Sequence, residues 1–218
     1  MPSVKMPRKS TVVDMTPFVD VSFLILTFFI MATKFKPPES VDIKTPGSVL
    51  SQELPTHNAV MISFDSSNRV FFTVLSEKDD SKYEAIITNI NTTQNLGLSD
   101  AEMKQFKKVY MTGVPFANLK ELLNTPEKEQ KPSEWPGIPY ADSTNNQLEW
   151  WVRAAKEAFQ GEKLDFLIKG DGHSKYPAFA GVMDALKKND QLKYHLVTSL
   201  EGIPNGSELD RLEARKKQ

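Results

Sequence analysis

Leu164-Asp165-Phe166-Leu167-Ile168, then Gly170-Asp171-Gly172-His173-Ser174-Lys175, then Tyr176 to Lys188, then Lys193-Tyr194-His195-Leu196-Val197-Thr198: this run in the last third of the chain decides the fold. The two outer segments have strand length and composition, and the long middle segment spaces its apolar residues as a helix does. Strand, helix and strand in that order predict a βαβ crossover, which makes the two strands parallel. The glycines of the 170–175 loop suit a strand-to-helix turn. The loop lacks the spacing of a phosphate-cradling P-loop, so no nucleotide site is expected there.

Upstream, Ala59 to Asp65, then Ser66-Ser67-Asn68, then Arg69 to Leu75 read as a β-hairpin. The hairpin and the βαβ unit together predict a mixed α/β sheet with helices. Between them, about 76–163, the pattern turns helical and reads as an insertion. Ser99 and Glu102 have capping-box spacing ahead of Met103 to Tyr110. Phe116 to Leu123 is amphipathic, Pro132 to Pro139 is a Pro/Gly-rich loop, and Asn146 to Gln160 is a helix carrying Trp150 and Trp151. Trp135, Trp150 and Trp151 fit a binding surface or a core, and a domain of this size needs such residues in its core. No repeat is visible.

The 218 residues suit one membrane anchor and one moderate soluble domain. A net charge of −1 gives no reason to expect nucleic acid. The absence of cysteine excludes disulfides, thiolate zinc sites and cysteine nucleophiles. His57, His173 and His195 are scattered without metal-ligand spacing, and His195 alternates within a strand. No nucleophile elbow or paired-carboxylate arrangement stands out, so neither an enzyme nor a cofactor or small-molecule substrate is expected.

The most apolar stretch is Pro17-Phe18-Val19-Asp20-Val21-Ser22-Phe23-Leu24-Ile25-Leu26-Thr27-Phe28-Phe29-Ile30-Met31-Ala32-Thr33. About 17–25 residues cross a bilayer as a helix, which predicts a single N-terminal transmembrane helix over 14–35. Lys34-Phe35-Lys36 after it resembles no cleavage site, so the stretch reads as a retained anchor. Thr16-Pro17 reads as an N-cap followed by proline at the first helical position, and Pro37-Pro38 as the stop. Basic residues nearly tie across the stretch, Lys5, Arg8 and Lys9 against Lys34, Lys36 and Lys44. The short basic tail tips the N-terminus toward the cytoplasm.

Asp20 is the chemical candidate. A carboxyl group at membrane depth costs about 2.5–3.5 kcal/mol and marks ion or proton chemistry. At about 100° per residue, Thr16, Asp20 and Thr27 share a narrow arc, while Ser22 and Thr33 lie nearly opposite. Facing a polar partner, Asp20 ionises; buried in apolar surroundings, it favours the neutral form. A group moving between those environments carries a proton. The alternative is an acid near a helix start that favours the dipole and snorkels to the headgroups. Ser22 and Thr33 are expected to bond back to their own helix, leaving the Thr16, Asp20 and Thr27 stripe for a partner.

The remaining boundaries follow. Residues 1–13 form a tail, 36–58 a linker, 59–203 the soluble domain, and 204–218 a charged tail with a frayed helix from Ser207 to Gln218. Within the linker, Val41-Asp42-Ile43-Lys44 alternates like a short strand, expected to pair with an exposed sheet edge in an assembled state.

Asp14-Met15-Thr16-Pro17-Phe18-Val19-Asp20-Val21 ahead of one apolar helix resembles the ExbD/TolR family signature. Val41-Asp42-Ile43-Lys44 resembles that family's stretch after the membrane, and Tyr176-Pro177 leading into Val182 to Leu186 is similar to its soluble domain. The resemblance implies an inner-membrane subunit with a cytoplasmic N-terminus and a periplasmic domain. It implies a dimer inside a pentameric ExbB-like partner, using the proton gradient to drive a TonB-like protein. Asp20 matches the proton site, while Thr16 and Pro17 match the motif as helix-start devices. The helices between about 76 and 163 depart from the family pattern. A TolR-like subunit and a membrane-anchored scaffold stand as alternatives.

Overall fold

A computed structural model describes residues 14–32, 41–49, 53–55, 57–76, 80–109, 111–140, 145–202 and 207–208. The chain divides into two units, one ending at residue 39 and one from residue 40 onward. The first holds helix α1, Thr16–Ala32. The tail 1–13, Thr33, the stop at Pro37-Pro38 and nearly all of the C-terminal helix expected from Ser207 lie outside the described residues.

The second unit is built on a four-stranded sheet: β2 (Ala59–Phe64), β3 (Val70–Leu75), β4 (Asp165–Gly170) and β5 (His195–Leu196), ordered β3-β2-β4-β5. The hairpin pairs β2 and β3 antiparallel, with Ile62 opposite Phe72. β4 runs parallel to β2, and β5 parallel to β4, through helix α6, Tyr176–Lys188. The mixed sheet therefore joins the hairpin and the βαβ crossover. A separate two-residue strand β1 (Gly47–Ser48) pairs in parallel with β6 (Ser199–Leu200).

The period-two side-chain alternation assigns each sheet face. Val60, Ile62, Phe64, Val70, Phe72, Val74, Phe166 and Ile168 enter one apolar core with the helices. Those helices are α2 (Asp80–Gln94), α3 (Asp100–Gln105), α4 (Phe116–Asn124), α5 (Gln147–Ala158) and α6. Trp151 is fully buried and stacks on Phe106 at 5.7 Å, with Phe72 and Phe116 beside it. The core reading thus holds for Trp151, whereas Trp150 and Trp135 are only partly buried.

Local chemistry fixes the joints. Asp65 Oδ1 accepts the backbone N–H groups of Ser67 and Arg69, and Asn68 takes φ +62° to close the hairpin. Ser99 and Glu102 form the reciprocal capping box at α3. The Ser99 N–H first, then the Asn124 amide, hold the Glu102 carboxyl below its ordinary range. The outer edge of β3 is paired, not open. Phe72 and Thr112 exchange backbone hydrogen bonds at 2.7 and 2.8 Å, and Ile138 N–H donates to Val70 at 2.8 Å. Gly137, at φ +87°, admits this close approach, because a Cβ there would meet the Arg69 and Val70 backbone at 3.0 Å.

Residues 41–46 differ from the strand expected at Val41-Asp42-Ile43-Lys44. They form no strand, and the nearest one is β1, which begins three residues after Lys44. The alternation serves burial instead: Val41 and Ile43 are buried, while Asp42 and Lys44 are exposed.

Candidate functional site

Helix α1 starts from Asp14. Its Oδ1 accepts the Thr16 backbone N–H at 3.0 Å and the Thr16 hydroxyl at 2.6 Å. Asp14 therefore takes the capping role assigned from sequence to Thr16; Thr16 and Pro17 are the first two helical residues. The side chains of α1 are apolar all round and none is buried, with exposures from 51% at Ile25 to 88% at Met31 among the large ones. A helix apolar all round calls for an apolar environment on every side.

Four polar side chains interrupt it. The Ser22 hydroxyl donates to the Phe18 carbonyl at 2.7 Å, as expected. The Thr27 hydroxyl donates to the Leu24 carbonyl at 2.9 Å, which the reading of Thr27 as a partner-facing group did not foresee. With Thr16 bonded to Asp14, Asp20 is left as the polar side chain of α1 with no hydrogen-bond or ionic partner among the described residues. Asp20 lies one turn above Thr16 on the same face as Thr27, since residues three to four apart align.

Among the described residues, no helix is long and apolar enough to cross a membrane. The 17 residues of α1 rise about 25 Å at 1.5 Å each, against a hydrocarbon core of about 30 Å.

A second arrangement gathers around the linker. Val41 and Ile43 form a small apolar cluster with Phe71, Met111 and the edge of Trp135, apart from the main core. Phe71 reaches it from the sheet face opposite the helices. Asp171 Oδ2 accepts the Lys44 N–H at 2.9 Å, and the Lys44 carbonyl accepts the Gly172 N–H at 2.8 Å. Asp171 is buried, and the His173 N–H donates to its other oxygen at 2.8 Å. That bond chiefly, with the one from Lys44, keeps the Asp171 carboxyl below its ordinary range despite burial. The 170–175 loop is thus a turn that clasps the linker. Nothing in the spacing of Val41, Phe71, Met111, Trp135 and Asp171 announced this meeting; the local sign was an aspartate between two glycines, poised to bond nearby N–H groups.

The histidines stay apart. His173 Nδ1 lies 3.3 Å from Asp171, and His195 Nε2 lies 3.6 Å from Asp165. Among the described residues, no group of His, Asp and Glu side chains is placed to hold a metal ion.

A family model described as biopolymer transport protein ExbD/TolR matches residues 7–201. No curated protein and no solved structure matches the chain. The matched range takes in Asp20 on its apolar helix, the clasped linker, the hairpin and the βαβ crossover, and the chain belongs to the ExbD/TolR family.

Proposed function

We propose that this chain is the proton-carrying subunit of an ExbB–ExbD type complex in a bacterial inner membrane, energising a TonB-like protein. One observation carries the reading. On a helix apolar on every face, the three hydroxyls are satisfied by the helix itself or by Asp14 just before it, and the Asp20 carboxyl has no partner among the described residues. A group so placed binds and releases a proton as a partner surface alternates between wet and apolar. Helix α1 with its flanks spans the bilayer, the tail 1–13 faces the cytoplasm, and the domain from about residue 59 to 203 is periplasmic.

One helix offers no pore, so two copies of this chain work inside an ExbB-like, pentameric multi-helix protein that supplies the polar walls. Asp20 serves transport, not enzymatic turnover. A TolR-like role in the Tol system uses the same carboxyl and differs in the protein driven.

Asp20→Asn keeps shape and hydrogen bonding but cannot ionise. It is expected to abolish energy-dependent uptake at normal protein level with complex assembly intact. Uptake at the wild-type rate in that strain sinks the motor reading in favour of a membrane-anchored scaffold. The pairing of Val41 to Thr45 with a partner's sheet edge belongs to the same reading: Ile43→Pro, which restricts the backbone and removes a donor, should lose transport while inserting and dimerising normally.

A further inference from the structure

We propose that the helical segment between β3 and β4 is a latch for the linker, and that the latch opens locally, without unfolding the domain, to lengthen the tether between α1 and the sheet. This inference does not depend on the proton-motor reading.

The seat is shared. Phe71 comes from the sheet, but Met111 and Trp135 come from the segment between β3 and β4. That segment is itself fastened to the hairpin. Arg69 Nη1 donates to the carbonyls of Ser133 and Trp135 at 2.6 and 3.0 Å, and Thr112 pairs with Phe72. The segment between β3 and β4 therefore presents an apolar wall to Val41 and Ile43.

The linker's hold on this seat is weaker than the hold of the core on itself. The contacts on 41–48 include two buried side chains, the Lys44 clasp at Asp171 and Gly172, the exposed bonds of Thr45 to the Ser199 hydroxyl, and a two-residue pairing of β1 with β6. By contrast, β2 is buried at every residue but Met61, and the centre of β4, Phe166 to Ile168, is buried throughout. Segments with few apolar contacts open at lower free energy than the global transition. Ser63 and Thr73, on the same sheet face as Phe71, carry buried hydroxyls without partners. Water reaching this face finds groups that the closed state leaves unsatisfied.

Opening changes reach. From Ala32 to Val41 the chain has nine residue steps, a contour of about 30 Å. From Ala32 to Ala59, where β2 begins, it has 27 steps, about 90 Å. Undocking thus roughly triples the contour of unanchored chain after Ala32.

Hydrogen exchange of the full chain in lipid nanodiscs, followed by mass spectrometry, tests the latch. In the wild type, amides of 41–48 should exchange about 100-fold or more faster than those of β2 and β4, because local opening precedes global unfolding. Met111→Asp, altering the wall, and Ile43→Ser, altering the linker, should each speed exchange of 41–48 by a further ten-fold or so, with β2 and β4 unchanged. Met111→Leu, which conserves volume, should behave as wild type. Exchange of 41–48 at the β2 and β4 rate in the wild type overturns the proposal, as does an unchanged rate in both disruptive variants. Should Met111→Asp loosen β2 and β4 too, Ile43→Ser decides alone, since its side chain enters the seat from the linker only.

Discussion

Arg69→Ala should weaken the domain at the point where hairpin, loop and linker seat meet. The Arg69 guanidinium grips Asp65 Oδ2 through Nε at 2.8 Å and Nη2 at 2.6 Å, and Nη1 reaches the two loop carbonyls. The Asp65 side chain is 5% exposed and that of Arg69 26%. Removing one partner of a fully buried pair costs about 3–5 kcal/mol, whereas exposed pairs are worth about 0–1. A guanidinium one-quarter exposed against a buried carboxylate falls between, at about 2–3 kcal/mol. Asp65 keeps its backbone bonds from Ser67 and residue 69, which limits the loss. For a domain of this size, 1 kcal/mol moves Tm by about 2–4 °C, so the expected fall is about 5–10 °C. Thermal unfolding of the full chain in detergent, followed by near-ultraviolet circular dichroism, reads it. Arg69→Lys should fall between, because an ammonium lacks the planar fork. A fall below about 2 °C refutes the reasoning. So does a double variant with Asp65→Asn whose cost equals the sum of the two singles, because a coupled pair is not additive.

Acid should open the linker clasp before the core unfolds. The folded-state Asp171 carboxyl titrates below its unfolded value of about 3.9, so its contribution is complete above that pH and lost as pH falls through the folded value. Exchange of the Lys44 amide across that window reads this, and Asp171→Asn should flatten the dependence. Glu102 has the same sign, and Glu102→Ala should lower the midpoint of urea unfolding by removing half the capping box and the Asn124 bond. Thr112→Pro deletes the N–H donated to Phe72 and should convert monodisperse domain into larger species on gel filtration. An unchanged elution profile would mean that the loop merely lies along β3.

The hairpin and the βαβ crossover were legible because short apolar runs separated by polar turns have few other readings. The capping box, α4 and α5 were legible because caps and helical stripes are local. Helix α2 was not, for it buries Ile86, Ile87 and Ile90 amid Ser, Thr and Asn, too narrow a stripe to stand out. The linker pattern was open to two readings. Val41 and Ile43 alternate with charges, and that pattern suits a strand and a docked coil equally, since both bury every second side chain. The seat combines residues up to 94 positions apart, Val41 to Trp135, and such a meeting is a property of the tertiary fold. On α1 the sequence named Asp20, but which hydroxyls were already spent needed rotamers.

The closed flank of β3 has a consequence for assembly. A sheet with two sticky margins can add copies without end, and its natural product is a filament. Here Thr112 and Ile138 already pair with one margin at Phe72 and Val70, so among the described strands of this sheet β5 carries the open edge. Growth through a single margin terminates after one addition, and the product is a finite pair instead of a fibre.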